Sequence, residues 1–135
     1  MSDFNQSIID EFRANGGAIG GGFAGAPVVL LTTTGAKSGK TRINPLVALV
    51  EEDRLYVFAS KAGAPSNPDW YYNLRAHPEV GVEFRDQQFD AEAVPVTGAE
   101  RDRLFAAQVA VMPGFGEYEK STTRVIPVIE LRRRD

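Results

Sequence analysis

The sequence contains no cysteine and only one histidine, His77, among its 135 residues. The absence of cysteine excludes disulfide bonds, a thiolate nucleophile and a zinc ribbon. One histidine cannot build a cluster of histidine and cysteine ligands, and a site for Mg²⁺ or Ca²⁺ would have to consist of carboxylates, so we predict no metal centre. Pro78 follows His77 directly, which is typical of a helix stop, and no G-x-S-x-G elbow indicates a catalytic triad.

Excess basic charge and long hydrophobic runs are also missing. The chain has 15 basic and 18 acidic residues, and its net charge of −3 argues against a nucleic-acid partner. The longest uncharged stretch, residues 14–36, carries seven glycines and Pro27, so it fits neither a membrane span nor a secretory signal. The length fits one domain. We therefore predict a soluble, cytoplasmic protein.

The N-terminal residues 1–26 are predicted to form a helix followed by a glycine-rich loop, in front of a main unit at residues 27–135. Phe4, Ile8 and Phe12 are spaced by four residues, which gives one apolar stripe on a short helix. Packing on the core is the ordinary interpretation of such a stripe. The alternative is a lid or a peripheral membrane helix with loose membrane association, although the Lys/Arg-rich face that membranes attract is missing.

The main unit has the pattern of a small β-rich fold. β-branched runs and apolar–polar alternation predict six strands, at residues 28–34, 43–50, 55–59, 80–84, 89–93 and 124–131. A helix with Asn67 as N-cap and Pro68 in its first turn should end near Arg75. Another should begin at the capping box Thr97–Glu100 and end before Pro113. Mainly antiparallel strands with short flanking helices predict an α+β barrel, with an edge or bulge near Pro45.

The densest polar motif is Gly35–Arg42, which contains three basic side chains, Ser38 and two glycines. It is not a phosphate-binding P-loop, because three residues instead of four separate Gly35 and Gly39, and a strand instead of a helix follows. Basic side chains and flexible backbone N–H groups can nevertheless hold an anion. A solvated hairpin turn is the alternative at this point.

Two aromatic groups offer surfaces for a planar ligand. Trp70, Tyr71 and Tyr72 lie in one helical turn after Pro68, where they either pack the helix on the barrel or present a ring to a ligand. Tyr118 follows Phe115 in a segment predicted to be a polar loop. A tyrosine placed there is a candidate proton donor or stacking wall.

These motifs together resemble the deazaflavin-dependent nitroreductase family. The resemblance rests on the order of residues 31–46, 59–61, 67–74, 77–78 and 124–128 and extends over about residues 28–131. It implies a six-stranded split β-barrel that binds coenzyme F420, a 5-deazaflavin with a phosphate and an anionic oligoglutamate tail. The chain departs from the nitroimidazole-activating members at Val47, Phe115 and Ser121.

The resemblance also implies the roles of individual residues. The phosphate or tail would be held by Lys37, Ser38 and Arg42. The deazaflavin and ribityl region would be lined by Ile43, Asn44, Pro45, Leu46, Phe58, Ala59, Ser60, Lys61, Asp69, Trp70, Tyr71, Tyr72, Asn73 and Phe115. The substrate would be met by Val47, Met112, Phe115 and Tyr118, with Tyr118 and Ser60 as candidate catalytic residues.

The implied reaction is hydride transfer from reduced F420 to a small planar electrophile such as a quinone, an enone or a nitroaromatic. The proton would come from Tyr118, Ser60 or solvent. Two alternatives share the fold: an oxidoreductase that binds FMN, and a non-catalytic carrier of deazaflavin. The sequence is compatible with a monomer or a homodimer.

Overall fold

The computed structural model describes residues 3–16, 27–52, 54–60, 66–122 and 125–134, with side chains from Gln6 onwards. The helices in this part of the chain are α1 (Asp3–Ala14), α2 (Asp69–Ala76), α3 (Gly98–Val111) and α4 (Gly114–Lys120). The strands are β1 (Val28–Thr34), β2 (Thr41–Glu51), β3 (Arg54–Phe58), β4 (Glu79–Phe84), β5 (Gln87–Val96) and β6 (Val128–Arg133).

The six strands close into a barrel in the order β1-β2-β3-β6-β5-β4, and every neighbouring pair is antiparallel. The predicted α+β barrel is therefore confirmed. β2 pairs with β1 through residues 41–47 and with β3 only from Ala48 onwards. Pro45, opposite Leu30, thus lies where β2 has one neighbour, as a residue without an N–H group requires.

The barrel interior is filled by alternate residues of the strands, because successive side chains of a strand point to opposite faces. Val29 and Leu31 of β1, Val57 of β3 and Val82 of β4 pack in this core and are at most 1% exposed. Leu74 of α2 belongs to the same cluster. The helix that follows β3 is therefore fixed directly to the barrel core.

Helix α1 covers the outer face of β1. Its Ile9 and Phe12 are buried against Val28 and Leu30, the β1 residues that alternate with the interior ones. Because α1 buries its apolar face inside the protein, membrane contact through this helix has no support. Within the described residues, no helix is long and apolar enough to span a membrane. The boundary at residue 26 remains a prediction.

Helices α3 and α4 cover a second outer face, over β3 and β6. Arg101 of α3 is 9% exposed, and its Nε and Nη2 donate to the carbonyl of Ile126, at 3.1 and 2.9 Å. The guanidinium also lies 4.7 Å from the ring centre of Phe105 and 3.8 Å from the Glu119 carboxylate of α4. Arg101 therefore joins both helices to the segment that enters β6.

The helix ends differ from the sequence-based expectation in two places. The N-cap of α2 is Pro68 and not Asn67, so the helix begins at Asp69. Thr97 is the N-cap of α3, but its side chain makes no capping hydrogen bond. The Glu100 carboxylate instead accepts hydrogen bonds from Arg103, which hold the pKa of Glu100 below its ordinary value. The predicted capping box does not form, because the Glu100 carboxylate is hydrogen-bonded to Arg103.

The segment that contains Tyr118 is a helix, so the prediction of a polar loop there is wrong. Pro113 and the two following glycines signal a break, and α3 does end at Val111. The chain then starts α4 directly, because Pro113 has helical dihedrals (φ −56°, ψ −23°) and its ring suits a helix start. Phe115 packs on Phe58 of β3, with ring centres 5.7 Å apart, and this contact holds α4 on the barrel.

Candidate functional site

A cavity of about 820 Å³ opens between the β1–β2 turn and helix α2. This size falls within the range of small-molecule and cofactor sites. It is lined by Gly35, Ala36, Lys37, Ser38, Arg42, Ile43, Asn44, Asp69, Trp70, Tyr72 and Asn73. One wall is therefore a cationic turn with the start of β2, and the other wall is formed by four of the first five residues of an aromatic helix.

The turn, residues 35–40, is ordered by its own hydrogen bonds. Gly35 donates its N–H to the Lys40 carbonyl at 2.8 Å, and Gly39 donates to the Gly35 carbonyl at 3.0 Å. Lys40 donates its N–H to the Ser38 Oγ at 3.1 Å. Among the described residues, the N–H groups of Lys37 and Ser38 have no hydrogen-bond partner. Two consecutive backbone donors at a cavity lined by Lys37 and Arg42 are an arrangement that suits an anion, and binding there remains a prediction.

Two glycines make this turn feasible. Gly39 has φ +70°, a conformation that side-chain-bearing residues rarely adopt. Gly35 has a different reason, since a Cβ at this position would stand 2.5 Å from the Ser38 Oγ and 3.2 Å from the Lys40 carbonyl oxygen. The Ser38 side chain can therefore fold over the turn and accept from Lys40 only because residue 35 has no side chain.

Helix α2 forms the aromatic wall. Trp70 is 6% exposed and contributes both to the barrel core and to the cavity lining, whereas Tyr72 is 48% exposed. Trp70 therefore packs the helix on the barrel and also lines the cavity, and its contact with a planar ligand remains a prediction. The Tyr71 hydroxyl accepts from the Arg75 guanidinium at 2.8 Å, and Tyr71 does not line the cavity.

Asn73 connects the two walls. Its Oδ1 accepts the Ala36 N–H at 3.0 Å, and its Nδ2 donates to the Thr33 Oγ1 at 3.3 Å. Asn73 and Thr33 are 9% and 1% exposed. The side chain predicted to contact a cofactor directly is thus already bonded to the β1–β2 turn.

The structure brings most of the predicted anion and ring residues together. Of the residues that the sequence assigns to the cofactor, nine line the cavity: Lys37, Ser38, Arg42, Ile43, Asn44, Asp69, Trp70, Tyr72 and Asn73. Seven others lie elsewhere in the barrel or its cover: Pro45, Leu46, Phe58, Ala59, Ser60, Tyr71 and Phe115. Lys61 lies outside the described residues. The roles of all these residues remain predictions.

The predicted substrate residues form a separate cluster beneath α3 and α4. Phe115 is buried there with Phe58, and Val47, Met112 and Tyr118 pack partly against the same cluster. The rings of Phe115 and Tyr118 are 5.2 Å apart. Val47 lies three residues after the cavity residue Asn44 on β2, about 10 Å along the strand. One strand therefore links the substrate cluster to the cavity.

Gly35 and Ala36 line the cavity although the sequence assigned them no contact. Thr33 was missed as well, because a threonine in a β-branched strand carries no signal of a distant partner. The spacing from Gly35 to Ser38 was the available signal for the compact turn. The contribution of Thr33 depends on where α2 docks, which only the folded chain reveals.

The cavity fits coenzyme F420 by its own chemistry. The N–H groups of Lys37 and Ser38, which have no partner among the described residues, would suit the phosphate and the anionic tail together with the Lys37 and Arg42 side chains. The Trp70 ring at the other wall suits a planar ring system. The described residues hold no group of three or more histidine, cysteine, aspartate or glutamate side chains suited to a metal ion.

Comparison with known proteins gives the same result. An F420H(2)-dependent quinone reductase of Mycobacterium tuberculosis is 35% identical over 127 residues, which cover 91% of this chain and 85% of that protein. The solved structure of an F420-H2 dependent reductase, FDR-A, is 41% identical, covers 78% of this chain and 94% of that chain, and has a TM-score of 0.72. A structure described as a domain-swapped dimer is 36% identical, covers 96% of this chain and 98% of that chain, and has a TM-score of 0.75.

The family assignment rests on almost the whole length of the chain. Residues 6–132 match the F420H(2)-dependent quinone reductase family. This match takes in α1 from Gln6 onwards, β1 to β5, β6 up to Arg132 and both walls of the cavity. The chain belongs to the F420H(2)-dependent quinone reductase family, whose cofactor is coenzyme F420.

Proposed function

We propose that this protein reduces quinones and similar planar electrophiles, such as enones and nitroaromatics, with reduced coenzyme F420 as the hydride donor. The observation that carries the proposal is the cavity, in which a turn with two unpartnered N–H groups faces a helix that presents Trp70. Membership of the F420H(2)-dependent quinone reductase family supports the same substrate class. We do not extend the proposal to nitroimidazoles, because the chain departs from the nitroimidazole-activating members at Val47, Phe115 and Ser121.

The cavity residues have distinct roles in this proposal. Lys37, Ser38 and Arg42 bind the phosphate and the tail through charge-assisted and backbone hydrogen bonds. Trp70 and Tyr72 cover the ring system and keep water away from it. When bound, reduced F420 supplies the hydride, so the protein needs no nucleophile or metal of its own.

The substrate side is formed by the cluster of Val47, Met112, Phe115 and Tyr118. An apolar cluster of this kind suits the face of a planar acceptor. Among the described residues, the Tyr118 hydroxyl has no hydrogen-bond partner, so it is available to donate to a reduced oxygen. Ser60, half-buried after β3, is the alternative donor.

A titration with two cofactors tests the proposal. Oxidised F420 and FMN are added separately and followed through their own fluorescence, and the reduced protein–F420 complex is then mixed with quinones, enones and nitroaromatics. We expect saturable F420 binding and quinone turnover. Preferential FMN binding would indicate a flavin enzyme. Tight F420 binding without turnover of any acceptor would indicate a carrier.

We expect Trp70 fluorescence to fall on addition of F420 and to reach a plateau at one cofactor per chain, because Trp70 lines the cavity. Trp70 is the only tryptophan, so the signal reports on this wall alone. Free N-acetyl-tryptophanamide, titrated in parallel, corrects for light absorbed by the cofactor. An unchanged protein signal alongside saturable binding would leave Trp70 with packing only.

Substitution of Tyr118 by phenylalanine is expected to lower kcat/KM for a quinone by about 10- to 1000-fold, the lower part of that range meaning orientation alone. F420 affinity should stay within a factor of two, because Tyr118 does not line the cavity. Tyr118→Ala is the companion variant, since it also removes the ring that packs on Phe115. Full turnover by Tyr118→Phe with a large loss in Tyr118→Ala would reduce Tyr118 to a packing residue.

The assembly state belongs to this proposal as well. A related structure is described as a domain-swapped dimer, which supports a homodimer here, and a monomer is the alternative. Sedimentation velocity at several protein concentrations distinguishes the two.

A further inference from the structure

We infer that Asn73 and Thr33 are positioning residues for cofactor binding, which hold the 35–40 turn in the shape that binds the anionic part of F420. This inference rests on the proposed function and deepens it. It assigns Asn73 an indirect role through the turn, in place of direct contact with the ring, and it adds Thr33, which does not line the cavity.

The hydrogen bonds of the turn support this role. The N–H groups of residues 35, 39 and 40 are bonded within the turn, and the N–H of Ala36 is bonded to Asn73. Only Lys37 and Ser38, among the described residues of the turn, keep their N–H groups for a ligand. Among the described residues, the Asn73 bond is therefore the hydrogen bond that joins this turn to α2, and it fixes the residue directly before the two free donors.

The orientation of Asn73 is itself fixed. Oδ1 faces Ala36 because a backbone N–H can only donate, and Nδ2 then donates to Thr33 Oγ1, a side chain that is 1% exposed in β1. Without the Thr33 hydroxyl, the Asn73 amide loses the second of the two hydrogen bonds that hold it in place. Thr33 thus holds the Asn73 amide in the position from which Oδ1 accepts the Ala36 N–H.

Helix α2 carries both a residue of the aromatic wall and the residue that is bonded to the turn. Trp70 and Asn73 are three residues apart and therefore lie on one face of the helix. The same helix face thus carries a residue of the aromatic wall and the side chain that is hydrogen-bonded to the turn. A turn ordered before the cofactor arrives does not have to be ordered by it, which raises affinity for the anionic part. The affinity for the ring system of the cofactor is not raised by this ordering, because the ring does not bind to the turn.

The test compares two ligands that differ only in the anionic part. F420 carries the phosphate and tail, whereas its ribityl-deazaflavin fragment lacks both. For Asn73→Ala, we expect the Kd of F420 to rise about 10- to 50-fold. The Kd of the fragment should change less than twofold. If Asn73 instead contacted the ring or ribityl chain directly, Asn73→Ala would raise the Kd of both ligands by the same factor. This result would overturn the inference.

Hydrogen exchange of the Ala36 amide, followed by NMR on the ligand-free protein, gives a readout that needs no cofactor. We expect Asn73→Ala to speed this exchange about tenfold or more, because its acceptor is lost. Inorganic phosphate, added to wild type, should shift the amide signals of Lys37 and Ser38 and shift them less in the variant. Faster exchange with an unchanged Kd of F420 would show that the ordered turn does not set affinity, which also overturns the inference.

Thr33 supplies a second pair of variants if Asn73→Ala does not fold. Thr33→Val keeps the shape and removes the hydroxyl, so it should raise the Kd of F420 in the same direction by a smaller factor. Thr33→Ser keeps the hydroxyl and should restore wild-type affinity. Equal affinities of the two variants would contradict the role of Thr33. A wild-type protein that binds phosphate at the turn but not F420 would instead remove the proposed function, and this inference with it.

Discussion

Replacement of Lys37 and Arg42 together by alanine is expected to weaken F420 binding by about 10²- to 10⁴-fold. A charge-assisted hydrogen bond contributes about 1.5–3 kcal/mol in general, so each single replacement should cost about 10- to 100-fold. Both side chains line the cavity beside the free N–H groups of the turn. Isothermal titration calorimetry with oxidised F420 measures the change.

Lys40→Ala is the matched control for this prediction. Lys40 is exposed in the same turn and does not line the cavity, so its removal changes the net charge as much as either single replacement without removing a cavity contact. Added salt should weaken wild-type binding and affect the double variant less, because screening acts on the charges that remain. Wild-type affinity in both single variants would place the anion site elsewhere.

Arg101→Leu is expected to destabilise the fold by about 2–4 kcal/mol, because it leaves the Ile126 carbonyl without its two donors and removes the guanidinium from the Phe105 ring. For a domain of this size, each kcal/mol lowers Tm by about 3–5 °C, so a fall of about 6–20 °C should be seen by calorimetry. Quinone turnover should fall as well, since Arg101 holds α4 and therefore Phe115 and Tyr118.

Arg103→Leu on the same helix is the control. Arg103 pairs with Glu51 and Glu100 at 2.9 and 2.6 Å, closer than the contact of Arg101 with Glu119, but its side chain is 52% exposed. Exposed ion pairs contribute little, so its loss should lower Tm by only a few degrees. If the two variants lowered Tm equally, burial of Arg101 would not be the cause of its effect.

The barrel could be predicted from the sequence because its signal is local. β1 was expected at residues 28–34 and is found at Val28–Thr34, since a β-branched run followed by Gly35 marks both ends of that strand. Pro45 indicated a one-sided strand for the same kind of reason, a missing N–H group. Where a residue's own covalent structure decides the outcome, the sequence is sufficient.

The misplaced features depend on contacts between distant residues. α4 contains two glycines after Pro113 and forms because Phe115 finds Phe58, which is far away in the sequence. The capping box at Thr97 is a local exception, because Arg103, three residues further along the same helix, competes for Glu100. The cavity shows both cases. Its cationic turn was predicted from the local sequence, but the hydrogen bond between this turn and Asn73 could not be predicted, because it forms only when α2 is docked on the barrel.

The position of β6 between β3 and β5 governs the order in which this protein can mature on the ribosome. β6 is the last strand in this chain, yet it closes the barrel by pairing with both neighbours. Until it emerges, β3 and β5 each keep an unpaired edge, which is where nascent chains join one another. The residues that line the cavity, from Gly35 to Asn73, are translated well before that strand. The nascent chain therefore carries these cavity-lining side chains before it has the closed scaffold that holds them in place.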